Sequence, residues 1–322
     1  MSTDHLIDPV ATDLAEAVMA VLSGTTVAKA ASAINTLPAD LAHAVELYQS
    51  AGREALRTHV AERDWYQLNV EYPDTADVAA AHLGQRLDAL HELVGAWWFI
   101  RKRPGLRLRL RPRAATTTDM RAAVNTALND LATSGVISRW GPAIYEPETA
   151  AFGGPTGMEI AHELFCADSS HILTYLRQQE PGVGRKEVSM LLLGTMLSTC
   201  LDRFERGDVW QRVAELRPLP APPPPARLEA LTEKIRPLVA SPLSPITPAG
   251  PLAFAAPWAD DFRRAGQALY EAATAEHLTR GIRHIFVHHV IFHWNRLGLP
   301  ATTQGVLSRA ACEALLPTGN RP

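Results

Sequence analysis

The sequence predicts an α+β protein: a small, mainly antiparallel sheet packed with a large helical portion and preceded by a helical N-terminal cap. Three observations carry this. Strand-like alternation is confined to residues 65–145. Apolar residues recur at helical spacing almost without a break from Glu159 onward, and the first sixty residues are helical in pattern as well. Strands first and helices after is the order of a segregated α+β fold rather than of alternating βαβ units.

In chain order, Leu14, Val18, Val21 and Leu22 mark a first helix. A second amphipathic run from Pro38 to about Val60 places Leu41, Val45, Leu47 and Tyr48 near one face. The stretch between them has a helix-turn-helix outline, but Asp40, His43 and Glu46 line the face that would need to be basic, which argues against DNA binding. WYQLNVEY (65–72) alternates and ends at Pro73, and a helix follows through Leu83, Leu87, Leu90 and Val94. WWFIRKR (97–103) and LRLRLRP (106–112) flank Pro104-Gly105, the chemistry of a hairpin turn. After a helix near 117–132, VISRWGPAIY (136–145) supplies a further strand. The remaining helices are expected at 155–177, 185–206, 227–240, 258–275, 280–297 and 302–315. RPLPAPPPPARL (217–228) reads as a stiff extended spacer between two of them.

Composition narrows the functions. With 322 residues, 47% hydrophobic, the chain buries a real core. A net charge of −3 excludes bulk attraction to nucleic acid. No apolar run approaches the ~18 residues of a membrane span, and the acids at the start are unlike a signal peptide. Three scattered cysteines, Cys166, Cys200 and Cys312, make neither a disulfide framework nor a thiol zinc site, so a cytoplasmic protein is expected.

Candidate chemistry lies in three places. Period two sends Leu106, Leu108 and Leu110 to one face of a strand and Arg107, Arg109 and Arg111 to the other. Three like charges in a row call for carboxylates, an anionic ligand or open solvent, and a guanidinium fork suits a carboxylate or phosphate. Next, YEPETAAFGGPTGMEIAHELFCADS (145–169) carries Glu148 and the pair Gly153-Gly154 just before a helix start, where free amides suit an anion. His162 and Cys166 share a helix face there, without the second histidine of a zinc-protease helix. Last, HHVIFHWNRLGL (288–299), with His284 one turn earlier, offers histidines at i,i+4 spacing. No acid or thiol accompanies them, so packing and hydrogen bonding are expected for at least two, and one serves as a proton carrier rather than as a metal ligand. No metal and no cofactor is expected.

FIRKRPGLRLRLRP, YEPETAAFGGPTGMEIAHELFCADS and HWNRLGL together resemble the C-terminal elimination domain of lantibiotic dehydratases, including its stand-alone form, the thiopeptide-type bacteriocin biosynthesis proteins. The resemblance covers about Trp65 to Leu316, dividing the chain into a helical N-terminal extension, 1–62, and the family domain, 63–322. It implies maturation of a ribosomally made precursor peptide. A separate glutamyl-tRNA-dependent glutamylating dehydratase protein modifies Ser or Thr, and the elimination domain removes glutamate to leave dehydroalanine or dehydrobutyrine. Arg107 and Arg109 match the family's paired arginines, Glu148 matches the acid before the glycine pair, and His293 or His289 is the counterpart of the C-terminal histidine. The expected catalytic set is therefore Arg107, Arg109, Glu148 and His293, with Arg101, Arg111, Gly153, Gly154, Asn295 and Arg296 binding substrate. A homodimer is left open.

This chain departs from the family in carrying Ala151 where the elimination enzymes usually place an arginine before the aromatic-Gly-Gly. That departure favours two alternatives on the same scaffold. One is a formal [4+2] cyclase that joins two dehydroalanines into the thiopeptide pyridine ring. The other is a non-catalytic subunit that docks the peptide or a partner.

Overall fold

The computed structural model describes residues 9–63, 65–73, 76–113, 116–178, 182–240 and 252–316. The chain divides into two compact units, Met1–Ala61 and Glu62–Pro322.

The first unit holds α1 (Pro9–Leu22), α2 (Val27–Ala33) and most of α3 (Pro38–Arg63) around a small core of Ala17, Val18, Ala30, Ala31 and Leu41. Its core is narrower than the sequence predicts. Leu47 and Tyr48 are exposed: Leu47 lies off the stripe of Leu41, Ala44 and Val45, and Tyr48, one turn further along that stripe, lies beyond the reach of the small core.

The second unit opens with β1 (Tyr66–Glu71), α4 (Ala76–Ala89), β2 (Val94–Lys102), β3 (Gly105–Pro112), α5 (Thr117–Thr133) and β4 (Arg139–Ala143). The strands form one antiparallel sheet in the order β2-β3-β1-β4. Arg103 and Pro104 make the β2–β3 turn, one residue earlier than the Pro104-Gly105 that the sequence predicts, and Gly105 opens β3 opposite Lys102, where a Cβ would clash with the Val70 carbonyl oxygen of β1, so only glycine fits. Leu108 faces Leu68 on one side and Phe99 on the other. Across this leucine face lies α5, capped by the Thr116 side chain, with Asn125 accepting a hydrogen bond from Tyr66 at 3.1 Å. The fourth strand is shorter than the 136–145 predicted. Val136 and Ile137 instead close the turn after α5, their amides bonding back to the Leu131 carbonyl.

Among the described residues seven α-helices follow: α6 (Pro155–Leu176), α7 (Arg185–Leu197), α8 (Arg203–Leu216), α9 (Pro225–Ala240), α10 (Ala256–Thr274), α11 (Ile282–Leu297) and α12 (Ala301–Leu315). The single helix expected at 185–206 is two. It stops near Ser198 and restarts at Asp202, whose side chain accepts from the Glu205 amide while Glu205 bonds back to the Asp202 amide. Around α6 and α11 the main core assembles, and both helices run beside the outer edge of β2. There the Phe99 amide donates to Ser169 Oγ at 3.2 Å, and Arg101 Nε donates to the Arg296 carbonyl at 2.8 Å. No described helix is long and apolar enough to cross a membrane.

Candidate active site on the arginine strand

The register of the sheet explains the arginine row. Arg109 pairs with Gln67 of β1 and Trp98 of β2, while Arg107 pairs with Asn69 and Ile100 and Arg111 with Ala96. Because the strand has period two, all three guanidiniums leave from the face opposite the leucines. Their environments then diverge. Arg111 is exposed over the Trp65 ring, Arg107 is half-buried, and Arg109 is 2% exposed.

Arg109 is the unusual member. Its Nε donates to Gln67 Oε1 at 2.8 Å, and its guanidinium carbon lies 4.0 Å from the Trp98 ring centroid and 4.8 Å from that of Tyr145. Two aromatic faces and an amide oxygen hold a buried cation, with cation–π contacts contributing up to ~2 kcal/mol where water is excluded. Among the described residues no carboxylate pairs with it, and Nη1 is buried without a hydrogen-bond partner. Burial pulls its pKa down to about 10, opposed by Tyr145 and by the Glu148 carboxylate nearby, so the group stays charged at neutral pH. A desolvated guanidinium with a free N–H favours an anion there.

Tyr145 and His162 stand beside this charge. The Tyr145 hydroxyl and His162 Nε2 are 2.7 Å apart, and both rings pack with Trp65 and Trp98. Burial, reinforced by Arg111 and Arg109, lowers the His162 pKa to about 4. Its imidazole is therefore neutral near pH 7 and able to accept a proton, with the tyrosine hydroxyl bonded to it. Glu148 lies in the loop after β4, exposed, its carbonyl accepting from the Ala151 and Phe152 amides at 2.9 and 3.2 Å.

The other predicted residues go elsewhere. His293 does not join the arginines: it is fully buried on α11, where Nδ1 donates to both oxygens of Asp168 at 3.0 Å and the ring meets Phe262 and Trp258. None of these contacts is with Arg107, Arg109, Arg111 or Glu148. Asp168 also accepts from Trp258 Nε1 at 2.9 Å and Arg296 Nε at 2.7 Å. Burial alone would raise this carboxyl; His293 and Arg296 instead hold it down at about 2. Arg296 stands one aromatic layer behind the arginine strand, its guanidinium 4.3 Å from the Phe165 ring, which packs on Trp98 at 4.8 Å.

Arg101 sits on the opposite parity of β2, pairing with Leu106, and bonds Asp77 at 2.8 Å and the Arg296 carbonyl, so it braces α4 and α11 rather than extending the row. Asn295 accepts from Gln304 at 3.0 Å, tying α11 to α12. Gly153 and Gly154 have φ of 87° and 94°. The loop before α11 fills the space beside them: the Thr279 amide bonds the Gly153 carbonyl at 2.9 Å, and a Cβ on Gly153 would meet Ile285 Cδ1 at 2.4 Å. The glycine pair is a packing joint, not an open anion cradle.

Among the histidines of α11, His289 is buried against Phe152 and Phe165, and His284 accepts from Arg212 at 2.7 Å. Among the described residues, no group of three His, Cys, Asp or Glu side chains is placed to hold a metal.

Gln67, Trp98, Tyr145, His162 and Asp168 are the important side chains that sequence reasoning did not place in these roles. Two left a readable signal. Counting back from a two-residue turn at Arg103-Pro104 puts Trp98 opposite Arg109, and Asp168 falls on the apolar stripe of Leu164, Phe165 and Ile172, where a charge must find a partner.

Comparisons with known proteins agree with this fold. Residues 65–315 match the family model described as lantibiotic biosynthesis dehydratase C-term. Among solved structures, the tRNA-dependent lantibiotic dehydratase MibB from Microbispora sp. 107891 is 18% identical with a TM-score of 0.55, over 77% of this chain and 28% of that one. TsrL is 16% identical with a TM-score of 0.55, over 78% and 93%. The pyridine synthase TbtD from thiomuracin biosynthesis is 14% identical with a TM-score of 0.58, over 78% and 97%. This chain thus spans under a third of MibB. No curated protein sequence matches it. The sheet with its arginine strand, the helical body behind it and the match across 65–315 place the chain in the lantibiotic dehydratase C-terminal family.

Proposed function

We propose that this protein matures a ribosomally synthesised peptide in the cytoplasm by eliminating glutamate from glutamylated Ser or Thr, working with a separate glutamyl-tRNA-dependent glutamylating partner. The observation that carries the reading is Arg109, a buried cation with no carboxylate of its own and an unpaired Nη1. In β-elimination a base takes the Cα proton, the Cα–Cβ double bond forms, and the Cβ–O bond to glutamate breaks, so glutamate departs as a carboxylate. Arg109 receives that charge, and Arg107 and Arg111 extend the field that attracts it. His162 is neutral near pH 7, and with Tyr145 it takes the proton. Asp168, His293 and Arg296 fix the helices behind Trp98 rather than touching substrate. In the docking-subunit alternative, it is the N-terminal extension, 1–62, that holds peptide or partner.

Ala151 supports a second reading. It stands next to Phe152 and Gly153, three residues from Glu148, and brings no guanidinium where elimination enzymes usually have one. A pyridine-forming cyclisation of two dehydroalanines releases no glutamate and needs no such group. The deciding experiment supplies a precursor already glutamylated on Ser or Thr, without glutamyl-tRNA or the partner, and follows its mass. Loss of the whole glutamate with a new dehydro-residue supports elimination. An unchanged glutamylated peptide, together with conversion of a bis-dehydroalanine peptide to a cyclic product, assigns the cyclase. Inertness towards both, with binding to either, assigns a docking subunit.

A further inference from the structure

The proline run that separates α8 from α9 does more than space them. It forms one wall of a cleft of about 630 Å³ whose other walls come from α7, α9 and α12. Lys186, Arg227 and Lys234 line it, so two of the four lysines in the whole chain converge on one depression. All three cations are exposed, and among the described residues none forms an ion pair. Among the described residues no carboxylate lines the cleft, and Glu233 of α9 is turned to Arg236 at 2.8 Å. The rest of the lining is mostly apolar, with Leu231 and Leu307 beside Pro220 and Pro222–Pro224, and Thr302 and Thr303 of α12 add two hydroxyls.

We infer that this cleft binds an extended acidic peptide segment with interspersed apolar residues. Charge and surface argue for that occupant together. Three unpaired cations in a chain of net charge −3 are a local exception that attracts carboxylates. The leucines and proline rings between them need apolar side chains, which a free phosphate or a nucleic-acid backbone does not bring. Prolines lack an amide N–H, so this wall cannot recruit a guest as a β-strand and grips it by side chains. The cleft lies outside the arginine strand, and the inference stands whether or not that strand performs elimination.

The test uses the full chain and a short fluorescent peptide of Glu, Asp, Leu and Pro, with binding read by fluorescence polarisation. Saturable binding is expected to weaken at least about tenfold in Lys186→Glu/Lys234→Glu, and to weaken with added salt. Arg86→Glu, on α4 of the second unit, makes the same kind of charge change at an exposed helix position outside the cleft and should leave binding unchanged. Because all three substituted side chains are exposed, the melting temperature of each variant should match the parent. The inference is overturned by equal binding in the double variant, by equal binding of the peptide with Gln and Asn in place of its acids, or by no binding at all. An oligonucleotide of equal charge binding as tightly also overturns it, since the cleft would then be reading charge alone.

Discussion

Asp168→Asn should destabilise the second unit severely, although it changes one atom. The native carboxylate lies fully buried and accepts from Trp258, His293 and Arg296. Asn presents an NH₂ to groups that already donate, and it leaves the Arg296 guanidinium, itself 0% exposed, with no countercharge. Breaking one partner of such a pair typically costs about 3–5 kcal/mol. At about 2–4 °C per kcal/mol for a chain of this size class, the melting temperature should fall by roughly 10 °C. The acid limb gives a second reading. A carboxyl held at about 2, against about 3.9 in the unfolded chain, contributes about 2–3 kcal/mol that is fully present above pH ~4 and lost as pH falls through ~2. The stability gap between parent and variant should therefore narrow over that window. Urea unfolding followed by tryptophan fluorescence, from pH 7 down to 2, measures both. Adding Arg296→Met should recover at least half of the loss, because both charges are then gone. A variant within about 1 kcal/mol of the parent, or a double variant with no recovery, would refute the reasoning.

Three further outcomes follow from the site. Arg109→Met should keep the fold and lower the conversion rate of glutamylated peptide about a hundredfold, and Arg109→Lys should not restore it, because an ammonium cannot both bond Gln67 and lie flat on Trp98; rates by mass spectrometry decide. His162, with its pKa lowered to about 4, should give a rate that is flat from about pH 6 to 8 and falls only as pH drops towards 4, and His162→Phe should slow the reaction about a hundredfold and abolish that acid limb in the pH–rate profile. Gly153→Ala should lower the melting temperature, by about 2 kcal/mol of stability or more, since it combines a positive φ with a clash against Ile285; an unchanged melting curve contradicts the packing role given to that loop.

What the sequence disclosed, and what it withheld, follows the range of the interactions. The hairpin, the arginine face and the sequence of strands before helices rest on period and turn chemistry within a few residues, and they stand in the structure, with the hairpin turn one residue earlier than read. The break at Asp202 was written in a capping box, but Leu197, Leu201 and Phe204 keep helical spacing across it and masked the signal. Gln67 meets Arg109 across 42 positions, and Asp168 meets His293 across 125. No local pattern encodes such pairings. His293 looked like a proton carrier because histidine titrates near neutrality, and only the helix packing reveals that its Nδ1 is committed to a buried carboxylate.

The two margins of the sheet bear on how a guest polypeptide can be held. Along β2 the margin is closed, since Ser169 already occupies the Phe99 amide and α6 and α11 lie alongside. At the other margin, β4 is five residues long and contains Pro142, which has no hydrogen to donate. Neither side offers a visiting chain an uninterrupted ladder of amides and carbonyls, so backbone zippering contributes little to capture. Recognition then depends on which functional groups the visitor carries and where they fall along it. Under the proposed peptide-modifying role, a site organised in this way tolerates changes in the visitor between its anchor points. The same blunt margins also deny neighbouring copies a template for sheet-to-sheet fusion when the protein is concentrated.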